Sequence, residues 1–408
     1  MEEIVNKLKK YDQQHLLLFF NSLNSDEKQE LIHDISQIDF EYINSFKQIK
    51  DKVESIGTIE PVISHKMENF TVEQINELKE KGKDIILQGK YAIVTMAGGQ
   101  GTRLGHDGPK GTFALNVSAK QKYIFEIFID NLMKIHNMYG VYINWYIMTS
   151  IANNSQTIEF FEEHDYFGYP KENIKFFMQG ELPITDLDGK LLLENTHKVL
   201  KAADGNGGVF NAVAKLLPDM KQKGIQWLLV TGVDNILVNM ADELYIGLVA
   251  NEGHLNGVKS ILKATPEEKV GVFCKRNGKP SVIEYSEMND EMRYAKSRNG
   301  DLLYAEANIV NHLINIQIIE KIQQDRLPIH KAIKQMGYID TKGNVQNPTK
   351  PCLIKYEAFI FDYFNKVDEV TILRVEREKE FAPVKNKTGV DSPETAIELY
   401  NKLYGKEV

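Results

Sequence analysis

Residues 91–115 read YAIVTMAGGQGTRLGHDGPKGTFAL, and this stretch decides the fold. Its apolar start, Tyr91–Met96, predicts a buried strand. The loop that follows carries two cations, Arg103 and Lys110, and it is rich in glycine. The glycines of the loop are Gly98, Gly99, Gly101 and Gly105. Because glycine lets backbone N–H groups approach an anion and the cations can neutralise its charge, the stretch predicts a phosphate-binding loop. A plain turn is the alternative, and the two cations argue against it.

Two better-known phosphate loops do not match this stretch. The ATPase loop ends in Gly-Lys-Ser or Gly-Lys-Thr, which does not occur here. The dinucleotide-binding pattern G-x-G-x-x-G finds Gly99 and Gly101 in place, but Leu104 holds the third glycine position. The next predicted strand, Val141–Met148, also lacks the acidic residue that such proteins place at its end. ATPase chemistry and dinucleotide-dependent oxidoreduction are therefore disfavoured.

Composition indicates a globular protein of more than one lobe. The chain has 408 residues, of which 26% are charged and 42% hydrophobic. A net charge of −8 argues against general affinity for nucleic acid or anionic membranes. The apolar run Leu16–Phe20 is too short to span a bilayer, so we expect the buried face of a helix there. Cys274 and Cys352 match no zinc or redox spacing, and we expect both to be buried and reduced, as in the cytoplasm.

The pattern along the chain predicts three parts. Residues 1–88 read as a helical lobe, in which Thr71 and Gln74 form a capping box. Residues 89–390 read as an α/β domain with a Rossmann-like, mostly parallel sheet and helices on both faces. Residues 391–408 should contain a last helix, capped by Ser392 and starting at Pro393.

Strands alternate with helices within the predicted α/β domain. The expected strands are Tyr91–Met96, Val141–Met148, Ile174–Met178 and Gln226–Thr231, and the expected helices include Tyr123–Met138 and Val209–Leu217. A later mixed α+β insert is expected around Val270–Cys274, Lys279–Glu287 and Leu302–Ile309. Ligands of such sheets bind outside the carboxyl ends of the strands, where the glycine loop is expected to lie.

Three further positions could carry chemistry. Asp234 follows a predicted strand and could bind Mg²⁺ beside a phosphate, although a helix cap or turn would also use an aspartate there. Gln179 ends another strand, and its amide could read the imide edge of a pyrimidine or simply face solvent. Asn206, between Gly205 and two more glycines, could contact a sugar or belong to an ordinary helix-entry turn.

The glycine loop also resembles a known family. AGGQGTRLG followed by PKG is similar to the nucleotide-binding loop of the UDP-sugar pyrophosphorylases of the UDP-N-acetylhexosamine (UDP-N-acetylglucosamine) type. Further similar segments follow in order, from about Leu87 to about Val390: FFMQGELP, ADGNGGVF, VDN, IEYSE, NIVNH and EREKEFAPVKN. Eukaryotic members of the family continue with a sizeable C-terminal domain, so the chain resembles a short form.

This resemblance implies a nucleotidyltransferase-type fold and a set of site residues. It implies catalytic roles for Arg103, Lys110 and Lys385, and an Mg²⁺ ion on Asp234. The implied nucleotide-binding residues are Ala97, Gly98, Gly99, Gly101, Thr102, Gln179 and Gly205. The implied sugar-binding residues are Asn206, Glu284 and Asn308. The last two lie in the predicted mixed insert.

The resemblance further implies the transfer of a uridylyl group from UTP to a hexose 1-phosphate, with release of pyrophosphate. N-acetylglucosamine 1-phosphate is the expected sugar, and glucose 1-phosphate is the alternative. A non-catalytic nucleotide-sugar sensor on the same fold would lose the cations or the metal ligand, and this chain keeps Lys110, Asp234 and Lys385.

Overall fold

The computed structural model describes residues 1–48 and 57–405, which divide into two compact units. The first unit contains residues 1–48, Gly180–Gly208 and Leu327–Ile360. The second contains residues 57–179, Val209–Arg326 and residues 361–405. Each unit contains three stretches that are far apart in the chain. The three consecutive parts predicted from the sequence do not have this arrangement.

The second unit is an α/β structure. Its strands are Ile59–Pro61, Tyr91–Met96, Ala114–Val117, Lys120–Tyr123, Asn144–Thr149, Ile174–Met178, Trp227–Gly232, Asn256–Leu262, Val272–Arg276, Lys279–Ile283, Glu306–Asn315 and Thr371–Arg374. Its helices are Val72–Leu87, Ile124–Tyr139, Asn154–Glu163, Val209–Ala214, Leu217–Gln222, Glu243–Glu252, Asp290–Tyr294, Ile316–Gln324, Arg377–Glu380 and Pro393–Tyr404. The predicted helix Val209–Leu217 is therefore two short helices, whereas the predicted last helix is confirmed, with Ser392 as its cap.

Ten of the described strands form one central sheet. Four neighbouring strands of it are parallel and have the order Trp227–Gly232, Tyr91–Met96, Asn144–Thr149 and Ile174–Met178. Beyond Trp227–Gly232 the sheet continues through the antiparallel strand Glu306–Asn315. The predicted α/β fold with a parallel sheet is confirmed where the glycine loop is attached, and the segments predicted as a mixed insert extend that same sheet.

Aromatic side chains fill the core on one face of the sheet. The helix Ile124–Tyr139 packs Phe125 and Phe128 against Trp145, with ring centroids 6.1 and 6.2 Å apart. Trp145 is fully buried, and its indole N–H donates to Thr95 Oγ1 at 2.8 Å. The hydrogen bond satisfies the one polar group of the ring, so the strand beside the glycine loop is held by both packing and a hydrogen bond.

Two helices of the second unit cross at paired glycines. Val72–Leu87 begins at the predicted capping box, in which Gln74 N–H donates to Thr71 Oγ1 at 3.2 Å. A Cβ on Gly82 would overlap the carbonyl oxygen of Glu243, and a Cβ on Gly247 would overlap that of Leu78. The absence of both side chains brings the two helix backbones into direct contact. The last helix of the predicted N-terminal lobe thus belongs to the sheet-bearing unit.

The first unit is built from short elements around its own apolar core. Its helices are Glu2–Lys10, Ser25–Ser36 and Phe40–Ser45. Its strands are Glu181–Pro183, Leu193–Asn195, Lys198–Val199, Lys201–Ala203, His330–Lys334, Tyr338–Ile339, Val345–Gln346 and Leu353–Glu357. The core joins side chains from all three of its segments, such as Leu31, Leu191 and Tyr356.

Two expectations from the sequence are wrong in detail. Leu16–Phe20 is not one helical face, because Asp12 adopts a left-handed backbone conformation (φ 56°) and only short 3₁₀ turns follow it. Leu16 is buried there, but Leu18 is 55% exposed. Cys274 is buried as expected, whereas Cys352 is only half-buried, and neither forms a disulfide. No helix within the described ranges is both long and apolar enough to cross a membrane.

The helix crossing gives a test with a definite sign. Gly247→Ala should lower the free energy of unfolding by about 1–3 kcal/mol, because the new methyl group meets a backbone carbonyl that cannot rotate away. Helix propensity alone would change stability in the opposite direction by about 1 kcal/mol. Urea denaturation measures the difference, with Gly99→Ala as the control, since no atom lies within 4 Å of a Cβ there. A more stable Gly247→Ala protein would contradict the close crossing.

Candidate active site

The carboxyl ends of the four parallel strands bring several predicted residues to one edge of the sheet. Backbone hydrogen bonds continue past the strand ends, from Ala97 N–H to the Met148 carbonyl at 2.7 Å and from Gln179 N–H to the Thr149 carbonyl at 2.9 Å. The N–H of Val233, the residue before Asp234, donates to the Met96 carbonyl at 3.1 Å. The glycine loop, Gln179 and Asp234 therefore start from adjacent, fixed positions.

Backbone hydrogen bonds within the glycine loop bring its two ends together. Gly101 N–H donates to the Gly108 carbonyl at 2.9 Å, and Lys110 N–H donates to the Gly99 carbonyl at 3.1 Å. Between these contacts, Thr102–Leu104 forms a 3₁₀ turn that leaves Thr102 and Arg103 exposed. The loop thus presents Arg103 outward and returns to place Lys110 beside its own first glycines.

Asn153, which the sequence did not single out, fixes the start of the loop. Its side chain is fully buried, and its Nδ2 donates to the Ala97 carbonyl at 3.0 Å. Its Oδ1 accepts the N–H of Ser150 at 2.8 Å. Its position just after the strand Asn144–Thr149 was the only signal in the sequence, and it did not separate Asn153 from an ordinary loop residue.

Gly98 and Gln179 lie in direct proximity. A Cβ on Gly98 would lie 2.8 Å from Gln179 Oε1 and 3.3 Å from Ser150 N. A Cβ on the next residue, Gly99, would meet nothing within 4 Å. The half-buried Gln179 amide therefore leans over Gly98, and only a glycine at that position leaves room for it.

Lys110 is a partly desolvated cation among other charges. Burial lowers the pKa of Lys110, Asp234 raises it in part, and Arg103 and Lys385 lower it further. Lys385 Nζ lies 3.7 Å from Asp234 Oδ2 and 4.0 Å from Asp391 Oδ2. All three predicted cations and the predicted carboxylate Asp234 therefore lie within electrostatic reach of one another.

Asp391 is a second carboxylate beside Lys385 that the sequence did not indicate. Burial raises the pKa of Asp391, while Lys385 and Arg377 lower it. Its carbonyl also accepts the N–H of Lys385 at 2.7 Å, so the loop between the two residues is closed at its base. The same loop carries Lys387, whose Nζ lies 3.7 Å from where a Cβ on Gly105 would be.

Asp234 suits a hard cation of the magnesium type. Its side chain is 27% exposed, and the described part of the chain offers it only the loose ion pair with Lys385. No group of three or more His, Cys, Asp or Glu side chains that could hold a metal occurs in residues 1–48 and 57–405. Mg²⁺ is commonly held by one or two carboxylates together with substrate phosphates and water. A single aspartate at this edge of the sheet is therefore compatible with an Mg²⁺ ion.

Glu284 and Asn308 lie on either side of Gly271. Asn308 N–H donates to the Gly271 carbonyl at 2.9 Å, and a Cβ on Gly271 would lie 2.8 Å from Glu284 Oε1. Asn308 Oδ1 accepts the N–H of Val310 at 2.9 Å. Burial, and then Glu287, raise the pKa of Glu284. The structure therefore brings the two predicted sugar-binding residues of the second unit together.

Gly205 and Asn206 belong to the first unit. Gly205 is in the left-handed conformation (φ 86°) at the turn before the helix, and Asn206 is exposed. Asn206 Oδ1 accepts the N–H of Ile360 at 2.9 Å. Because the oxygen is used in this way, the NH₂ group is the part of the Asn206 side chain that could donate to a ligand.

Comparisons with known proteins agree with these observations. A family model described as "UTP--glucose-1-phosphate uridylyltransferase" matches residues 36–390. UDP-N-acetylglucosamine pyrophosphorylase of Saccharomyces cerevisiae is 36% identical, covering 97% of this chain and 85% of that protein. UDP-N-acetylglucosamine diphosphorylase 1 of Arabidopsis thaliana is 34% identical, covering 100% of this chain and 84% of that protein.

A solved structure shows the same fold over nearly the whole chain. The uridine diphosphate N-acetylglucosamine pyrophosphorylase of Trypanosoma brucei, in complex with an inhibitor, superimposes with a TM-score of 0.83 and 28% sequence identity. The match covers 98% of this chain and 84% of that one. With its glycine loop and cation cluster at the edge of the sheet, the chain belongs to the UTP–glucose-1-phosphate uridylyltransferase family of nucleotidyltransferase enzymes.

Proposed function

We propose that this protein transfers the uridylyl group of UTP to N-acetylglucosamine 1-phosphate, which yields UDP-N-acetylglucosamine and pyrophosphate. The observation that carries the proposal is the grouping of Lys110, Lys385 and Asp234 next to a glycine loop at the carboxyl edge of a parallel sheet. The relatives from yeast and Arabidopsis are named for the same nucleotide sugar.

The reaction is an in-line displacement at the α-phosphorus of UTP. A phosphate oxygen of the sugar 1-phosphate forms the new P–O bond, and the bond from the α-phosphorus to the oxygen that bridges to the β-phosphorus breaks. Pyrophosphate leaves with that oxygen. Because the nucleophile is already an anion, no general base is required, and the main obstacle is repulsion between two anions.

The side chains of this site offset that repulsion. Lys110 and Arg103 neutralise the triphosphate beside the loop N–H groups, and Lys385 neutralises the phosphates near Asp234. Asp234, together with the substrate phosphates, would hold Mg²⁺, and the bound ion would supply further charge neutralisation at the reacting groups. Because the backbone that carries these side chains is held in place before substrate arrives, little reorganisation is needed in the transition state.

Specificity for the base and the sugar comes from polar side chains. Gln179 presents an amide over Gly98, where it can both donate to and accept from the imide edge of uracil. Ala97 and Thr102 contribute the loop backbone on which the nucleotide lies. Glu284 and Asn308, on either side of Gly271, hold the sugar hydroxyl and acetamido groups. The roles of Gly205 and Asn206 stay predictions from the family resemblance.

Glucose 1-phosphate remains the second candidate sugar, because the family model that matches the chain is named for it. The two candidates are separated by pyrophosphate release from UTP, Mg²⁺ and a panel of hexose 1-phosphates. We expect the highest kcat/KM with N-acetylglucosamine 1-phosphate. Higher kcat/KM with glucose 1-phosphate would replace the proposed sugar, and no release with any sugar would overturn the enzyme assignment.

Asp234→Ala tests the metal ligand in the same assay. We expect the rate to fall by about 10²–10³ with the fold intact, because a fixed charge at the reacting groups is lost. Asp368→Ala is the matched control, since that side chain is 90% exposed in a surface ion pair. Turnover of Asp234→Ala near that of the wild type would remove Asp234 from the site.

Adjacent glycines offer a paired test of the nucleotide pocket. Gly98→Ala should raise the KM for UTP and reduce discrimination between UTP and CTP, because the new methyl group displaces the Gln179 amide. Gly99→Ala, which meets nothing within 4 Å, should leave base discrimination unchanged. Equal effects of the two variants on the UTP/CTP ratio would contradict the placement of Gln179.

Lys110→Met should separate stability from activity. Because burial lowers the pKa of Lys110, the unfolded chain binds more protons than the folded one between that lowered pKa and the ordinary value. Stability of the wild type therefore rises with pH through that window, and below it the charged ammonium costs folding free energy. Lys110→Met should lack this alkaline rise and be at least as stable at pH 7, while its rate falls about 10²–10³-fold.

Urea denaturation at pH 7 and at alkaline pH measures the effect, together with pyrophosphate release. The control is Lys379→Met, because the Lys379 side chain is 59% exposed. A Lys110→Met protein less stable than the wild type at pH 7 would show that the ammonium supports the fold.

A further inference from the structure

Asn235 joins the two chain segments that carry Asp234 and Lys385. Its side chain is 3% exposed, and its Nδ2 donates to the Glu380 carbonyl at 2.7 Å. Its Oδ1 accepts the N–H groups of Ala382 at 2.9 Å and Leu237 at 3.2 Å. One buried amide therefore uses both of its ends, and three hydrogen bonds, to fix the turn after Asp234 against the segment before Lys385.

Backbone hydrogen bonds complete this junction. Val384 N–H donates to the Asp234 carbonyl at 2.8 Å, and Asn235 pairs with Pro383 in an antiparallel bridge. Lys385 follows Val384 directly, so the junction fixes the backbone position from which the Lys385 side chain extends. The ammonium then lies 3.7 Å from Asp234 Oδ2.

A buried ion cluster anchors the far side of the junction. Lys259, whose side chain is fully buried on a central strand, lies 2.6 Å from Glu380 Oε2 and 2.6 Å from Asp242 Oδ2. Although burial alone lowers the pKa of Lys259, the two carboxylates hold that pKa above its ordinary value. The Glu380 side chain thus pairs with Lys259 on the sheet, and the Glu380 carbonyl accepts a hydrogen bond from Asn235. Glu380 therefore links the core to the site.

We propose that Asn235 is a positioning residue for the transfer reaction, which sets the spacing between the metal ligand Asp234 and the cation Lys385. This inference rests on the proposed function and adds a residue that touches no substrate. A displacement of about 1 Å between groups that act on one phosphate can reduce a rate by about 10²-fold. The junction therefore determines kcat and the requirement for Mg²⁺ more than the stability of the fold.

The test compares Asn235→Ala with Asn315→Ala. Asn315 is also buried (6% exposed), and its Oδ1 accepts the Gln317 N–H at 3.1 Å, but it pairs with Trp227 at the opposite end of the strand that leads to Asp234. Both variants should show a lower Tm. Only Asn235→Ala should also show kcat reduced by about 10²-fold and a higher Mg²⁺ concentration for half-maximal pyrophosphate release.

Asn235→Asp gives an intermediate case, because it keeps an oxygen for the Ala382 and Leu237 N–H groups but has no donor for the Glu380 carbonyl. We expect a smaller decrease in kcat, and this variant carries the comparison if Asn235→Ala does not fold. Normal wild-type turnover with unchanged kcat and Mg²⁺ dependence in the Asn235 variants would overturn the inference alone. Absence of wild-type turnover with every sugar 1-phosphate would overturn the proposed function and the inference together.

Discussion

The site depends on holding several like charges close together at one edge of the sheet. Burial lowers the pKa of Lys110, and the nearby cations Arg103 and Lys385 lower it further. Such an arrangement persists only where the surrounding backbone is rigid. The parallel strands and their continuing hydrogen bonds at Ala97 and Gln179 supply that rigidity. Substrate phosphates then remove the repulsion that the fold maintains.

The site residues reach this edge of the sheet on two kinds of chain segment. The parallel strands bring the glycine loop, Gln179 and Asp234 from consecutive α/β units, as expected for a sheet whose carboxyl ends lie together. Lys385 arrives differently, on a segment that follows the short helix Arg377–Glu380 and pairs with the turn after Asp234. The strand before that helix, Thr371–Arg374, runs in the same direction as Trp227–Gly232, and the tertiary hydrogen bonds and the ion cluster then place the cation.

The same distinction explains what the sequence could predict. Short apolar and aromatic runs located Tyr91–Met96 and Ile174–Met178 to the residue, and strand ends then indicated where Asp234 and Gln179 should lie. Asn153 is not predicted because it contacts Ala97 in a distant segment, which one sequence does not reveal. Asp391 is not predicted because no local pattern indicates that the loop after Lys385 closes on it. The helical face predicted at Leu16–Phe20 is wrong because the left-handed conformation of Asp12 interrupts an apolar pattern that otherwise suits a helix. The role assigned to each site residue remains a prediction from chemistry and resemblance.

Two lysines of the second unit show how the surroundings of a lysine decide whether it has a structural or a catalytic role. Lys259 is enclosed by two carboxylates at 2.6 Å and cannot exchange partners without leaving buried charges uncompensated, so its pairing is structural. Lys385 also faces two carboxylates, but at 3.7 and 4.0 Å and with a side chain that is 40% exposed. Loose, solvated ion pairs contribute little to stability, so Lys385 can turn from Asp234 to an incoming phosphate at small cost. The tight ion cluster around Lys259 fixes the backbone, and the loose ion pairs of Lys385 leave its ammonium available to a substrate phosphate.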